Sequence, residues 1–135
     1  MSHITIEYSS NVGDHHDIQA LVDTVHDAAL AHGLPAVDGL RTRAVGRKSY
    51  RIADGHADHA FVALTARIGP GRSPEEKTTF LEAILDAAEA QLGSESGPLA
   101  IAWSAEVTEI DARFRINRNH VRTRMAAADQ RAKRS

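Results

Sequence analysis

The order of hydrophobic periodicities constrains this chain more than any other feature: a strand pattern, a helix pattern and a strand pattern follow one another, and then repeat. From His3 to Tyr8 the residues alternate, with Ile4, Ile6 and Tyr8 on one face and His3, Thr5 and Glu7 on the other, the mark of a half-buried strand. Asn11 to Asp14 predicts a turn. A helix is expected from Asp17 to His32, with Ile18, Leu21, Val22, Val25 and Ala29 at helical spacing and Gly33 and Pro35 stopping it. Leu40 to Val45 predicts the next strand, and the polar stretch to His59 leaves room for a short one at Tyr50 to Ile52. Phe61 to Ile68 is nearly all apolar, as a central strand requires. Ser73, Pro74 and Glu76 form a capping box with proline at the first helical position. The helix they open carries Leu81, Ile84, Leu85, Ala88 and Leu92 on one stripe and ends at Gly93. Leu99, Ile101, Trp103, Ala105 and Val107 alternate in a last long strand, with a short strand expected at Phe114 to Ile116.

Two such units with right-handed crossovers give an α+β fold: two β-α-β units forming one four-stranded mixed sheet with both helices on one face. A sheet covered on one side must hide any apolar residues on the other. That predicts a dimer or trimer packed through the bare faces. Residues 1–121 are expected to form the domain and residues 122–135 a basic C-terminal tail.

Composition removes several function classes. At 135 residues the chain fits one domain. No apolar run approaches the roughly 20 residues that span a bilayer, and the N-terminus lacks a secretory pattern, so a cytoplasmic location is expected. With no cysteine, disulfides, thiolate metal sites and cysteine nucleophiles are all excluded. The net charge of −2 hides a split: residues 1–112 carry −9, residues 113–135 carry +7. A basic end can contact nucleic acid, but a solvated terminus is the commoner explanation. Stacking aromatics are also scarce, with three Phe, two Tyr and one Trp.

Charged and titratable residues supply the site candidates. Arg72 follows Gly69-Pro70-Gly71 at the start of the capped helix, where an anion is stabilised, although local pairing with a first-turn glutamate is the commoner use of such an arginine. Arg41 and Arg43 flank Thr42 on a strand and so share a face. They can grip a dicarboxylate bidentately or pair with acids across the sheet. Asp38 and Glu106 are possible proton carriers that no spacing singles out. Trp103 fits a core or subunit boundary. The clusters His15-His16-Asp17 and Asp54 to His59 lack metal-ligand spacing, and neither a metal nor any other cofactor is expected.

Several segments together resemble the tautomerase superfamily, and within it the 5-carboxymethyl-2-hydroxymuconate isomerase family. They are the His3 to Tyr8 strand, Gly39 to Arg43, Ala53-Asp54-Gly55, Ala60-Phe61-Val62, Ile68 to Ser73, and Phe114…Asn117…Asn119-His120-Val121. The likeness covers about residues 2–122. It implies a homotrimer with active sites near subunit boundaries, acting in aromatic compound catabolism. An N-terminal proline, exposed when Met1 is removed, would shuttle a proton in an unsaturated 2-hydroxy dicarboxylate while arginines hold its carboxylates. By position Arg41 and Arg72 match those arginines, with Arg43 a third candidate. Residue 2 here is Ser instead of proline.

A terminal amine suits the task without the ring. Its ordinary pKa of about 7.7–8.0 leaves roughly a tenth of it neutral at pH 7, and nearby arginines and apolar walls lower that pKa. Ser2 is therefore the expected catalytic residue, through its amine. A Ser–His nucleophile is disfavoured because His3 points to the opposite sheet face. The alternative is a trimeric protein of the same fold that binds small acids without turnover.

Overall fold

The computed structural model describes residues 1–93 and 97–134. Its elements run β1 (Ser2–Ser9), α1 (Ser10–His15), α2 (Ile18–His32), β2 (Leu40–Arg47), β3 (His59–Ile68), α3 (Pro74–Leu92), β4 (Ala100–Glu109), a 3-10 turn (Ala112–Phe114) and α4 (His120–Arg134). The sheet order is β2-β1-β3-β4. Each outer strand is parallel to its inner neighbour, and the two inner strands are antiparallel. The two expected β-α-β units are thus both present and meet along β1 and β3.

One face of this sheet is the core. Ile4 and Ile6 of β1 and Ala60, Val62, Leu64, Ala66 and Ile68 of β3 are buried beneath Leu21, Val25 and Ala29 of α2 and Phe80, Ile84, Ala88 and Leu92 of α3. The α3 stripe is centred on Phe80, fully buried, with Leu81 and Leu85 at its margin. Truncating Phe80 to Ala would cost about 3–5 kcal/mol. Both helices begin as their sequences dictate. The Asp17 side chain accepts from Ala20 N, and Ser73 and Glu76 complete the reciprocal capping box. Trp103 lies on the helix side of β4 and packs against the core.

Three expectations change. Asn11 to Asp14 belongs to the short helix α1, whose Val12 is buried. Tyr50 to Ile52 forms no strand; these residues lie in the β2–β3 loop, where Tyr50 stacks edge-on against Phe61. Phe114 closes a 3-10 turn capped by the Asp111 side chain, so the expected strand there is missing too. The bare sheet face is mixed, carrying Val45, Phe61, Ala63 and Ala102 among its polar residues. It presents His3, Thr5 and Glu7 beside Arg41 and Arg43, with Thr65, Arg67, Ser104 and Glu106 on the other two strands. The basic tail is helical: α4 starts at His120, and its first turn is tied to the body through Asp38.

Candidate active site

The site forms where β1 begins. Parallel pairing sets Ser2 beside Leu40 and His3 beside Arg41, and the Ser2 nitrogen donates to the Gly39 carbonyl at 3.1 Å. Gly39 is needed for that approach, because a Cβ there would lie 3.3 Å from Met1 Cα. The Ser2 side chain faces the core and is buried, whereas His3 faces the bare side and its Nδ1 lies 3.1 Å from Arg43 Nη1. Serine and histidine therefore point apart, as alternation along a strand demands.

Next to the terminus is a cavity of about 260 Å³. Met1 and Ser2 line it on one side, Leu34, Pro35 and Ala36 on a second, and Ile68, Gly69, Pro70 and Arg72 on a third. Gly71, at φ 101°, reverses the chain so that Arg72 turns back over this space. The Arg72 guanidinium donates to the Leu34 carbonyl at 2.8 Å and reaches Glu76 at 3.3 Å. It both lines the cavity and pairs locally, so part of its donor capacity is already engaged. Arg41 contacts the Met1 sulfur through Nη1. The thioether thus covers the guanidinium that would otherwise face an incoming anion.

The electrostatics are strongly cationic. Burial holds the Met1 amine below its ordinary value of 8.0, the guanidinium groups of Arg115, Arg122 and Arg41 push it further down, and Asp38 opposes them. His3 is likewise held below 6.5 by burial and then by Arg43, Arg41, Arg67 and Arg115. Such a place favours a neutral amine and an anionic ligand.

The chain terminus thus meets each arginine separately: Arg41 touches Met1, and Arg72 lines the cavity beside Met1 and Ser2. Arg43 sits two residues along β2, paired to His3 on the bare face. Asp38 lies at the site, bonded to Arg122 at 2.7 Å. Glu106 is on the edge strand β4, separated from β1 by β3. Arg115 and Arg122 were not singled out by spacing. The available signal was an arginine between Phe114 and Ile116 in a short irregular segment, indistinguishable in sequence from the rest of a basic tail. Among the described residues no group of three or more His, Asp or Glu side chains is arranged to hold a metal ion, and no helix is long and apolar enough to cross a membrane.

Comparison with known proteins agrees with this geometry. The family model of 5-carboxymethyl-2-hydroxymuconate isomerase matches residues 2–125. The 5-carboxymethyl-2-hydroxymuconate Delta-isomerase of Escherichia coli is 27% identical over 121 residues, 90% of this chain and 96% of that protein. The crystal structure of a 5-carboxymethyl-2-hydroxymuconate isomerase from Deinococcus radiodurans R1 superposes with a TM-score of 0.82 at 28% identity, covering 92% and 93% of the two chains. A fused 4-OT solved as a symmetric trimer shares the fold, with a TM-score of 0.63 at 17% identity over 86% of this chain and 93% of that one. From its match over nearly its whole length, the chain belongs to the 5-carboxymethyl-2-hydroxymuconate isomerase family, enzymes of the tautomerase fold.

Proposed function

We propose that this protein is a proton-transferring isomerase of small unsaturated 2-hydroxy acids with two or more carboxylates, with the Ser2 amine as base once Met1 has been removed. The observation that carries the reading is the buried, cationic environment at the chain terminus, which favours the neutral form of the Met1 amine and would act alike on a Ser2 amine exposed beside it. In the reaction the neutral amine takes a proton from the dienol and returns one to a carbon farther along the conjugated chain. The amine ends as it began, and the dienol becomes the keto isomer. Arg41 and Arg72 hold the carboxylates, and the charge of Arg41 stabilises the dienolate formed between the two transfers. Arg43 contributes from farther off, through the field on His3 and the bare face.

Loss of Met1 serves the reaction twice. It frees the Ser2 nitrogen, and it takes the thioether off Arg41. A serine lacks the ring that restricts the orientation of a proline amine. Its nitrogen donates to the Gly39 carbonyl, which restrains that orientation in part. The protein works as a homotrimer, a state supported by the symmetric trimer of the fused 4-OT that shares its fold. In a trimer of this chain the mixed bare faces meet, burying residues such as Phe61 and offering Glu106 as a carboxylate to Arg43 and Arg67. No cofactor enters the reaction.

The test is an ultraviolet assay of 5-carboxymethyl-2-hydroxymuconate ketonisation by protein whose mass confirms a Ser2 terminus. Turnover well above the buffer rate, absent from protein that retains Met1, is expected. Carboxylate binding with no turnover in the Ser2-terminated form would instead identify a binding protein of the same fold.

A further inference from the structure

We infer that Arg115 is the main partner of a second carboxylate of the substrate, with Arg72, already bonded to Leu34 and Glu76, only assisting there; the assignment rests on the reading above and gives the site a partner for Arg41. Arg115 lies in the irregular stretch between the 3-10 turn and α4. Its neighbours Phe114 and Ile116 are 81% and 84% exposed, yet Arg115 itself is partly sheltered. Two large apolar side chains turned outward with an arginine turned inward between them is the reverse of what burial energetics favour. A guanidinium in that position is better explained by what it binds than by its contribution to stability.

The Arg115 Nη2 atom is shut off from solvent and has no hydrogen-bond partner among the described residues. A buried donor left unmet is costly, and a carboxylate is the group that best satisfies it, through paired charge-assisted bonds. The segment is also fixed in place. Asn119 Nδ2 donates to the Asp38 carbonyl at 2.7 Å, and Arg122 Nε donates to the Asp38 carboxylate at 2.7 Å. Asp38 directly precedes Gly39, whose carbonyl receives the Ser2 nitrogen. The stretch that carries Arg115 is thereby strapped to the loop that positions the amine.

Charge bookkeeping points the same way. Asp38 is committed to Arg122, and Arg72 already donates to Leu34 and Glu76. Arg115 and Arg41 are left without a carboxylate partner among the described residues. The depressed amine agrees, since Arg115 is the foremost side chain acting on it. A dianion with its carboxylates at opposite ends of a short chain meets both guanidinium groups, whereas a monoanion meets one.

Calorimetric binding of adipate and of hexanoate, two unreactive acids of equal length, tests this on protein confirmed to begin at Ser2. The unsubstituted protein should prefer adipate. Arg115→Gln should weaken adipate on the order of 10–100-fold, the size of a lost charged hydrogen-bond pair, and leave hexanoate unchanged. Arg115→Lys should recover part of the loss, which a merely structural role would not predict. Arg113→Gln, at a neighbour paired with Asp111, should change neither ligand. Adipate affinity unaltered in Arg115→Gln, or no preference for adipate in the unsubstituted protein, overturns the assignment. Loss of adipate binding in Arg115→Gln, together with absent dienol turnover in the unsubstituted Ser2-terminated protein, would uphold the carboxylate site and refute the isomerase reading alone.

Discussion

The two ends of the sheet are built alike and differ in one bond. At one end β1 begins where β3 finishes, with His3 opposite Arg67; at the other β3 begins where β1 finishes, with Tyr8 opposite Val62. Each end holds a cavity edged by cations. The first, of about 260 Å³, is edged by Arg72 and the chain terminus, and the second, of about 340 Å³, by Lys48 and Arg51 beside His56 and His59. The nitrogen that opens β3 is an ordinary amide, His59 N, donating to the His56 carbonyl at 3.1 Å. An amide nitrogen is no base. Repeating the β-α-β unit therefore supplies two similar clefts, and only the one at a chain end can carry an amine that exchanges protons near pH 7.

That contrast can be broken by substitution. Arg41→Ala should lower kcat/KM about 100-fold, because a charged contact made to the reacting acid is lost. Arg51→Ala at the opposite end should leave it unchanged, and equal losses at both ends would erase the distinction drawn here. Ser2→Pro should raise kcat about 30-fold with little change in KM, since the ring narrows the orientations of the amine beyond what the Gly39 carbonyl achieves. A proline variant no faster than serine would mean that positioning does not limit the rate.

Arg72→Ala should have a smaller effect, raising KM about tenfold with kcat retained, because that guanidinium already divides its donors between Leu34 and Glu76. Unchanged kinetics would remove Arg72 from the site. The smallest effect concerns His3. Its folded pKa is depressed below 6.5 by burial and by the surrounding arginines. Below pH 6.5 the unfolded chain then binds more protons, and stability falls as the pH drops through the folded pKa. His3→Gln should flatten that part of the denaturation profile measured between pH 7 and 4.5, and a profile as steep as the original would place the titration elsewhere.

Much of the fold was legible because its signals are local and repeated. Ser73, Pro74 and Glu76 define a helix start through their own hydrogen bonds, and Ile4 and Ile6 define a strand face through alternation. The stretch Asn11 to Asp14 misled because a glycine and polar residues resemble a turn, whereas burial of Val12 favours a helical one. Phe114 to Ile116 misled because its apolar spacing belongs to residues turned outward. Of the candidate site, Arg41 and Arg72 were nominated through family likeness as much as chemistry. The position of Arg115 near the terminus was not legible, because it comes from a return of the chain to Asp38, some eighty residues away, which no local pattern encodes. The covering of Arg41 by Met1 was equally hidden, being a contact between side chains forty residues apart.

The central claim is that burial, and then the guanidinium groups around it, favour the neutral form of the terminal nitrogen. Direct titration of the Ser2 amine by nitrogen-15 NMR, in protein labelled and confirmed to start at Ser2, measures this without reference to any substrate. The account predicts a midpoint below 8.0 that moves upward when Arg115 is replaced by Gln, since removing a nearby positive charge stabilises the ammonium form. A midpoint at or above 8.0, indifferent to Arg115, would contradict it.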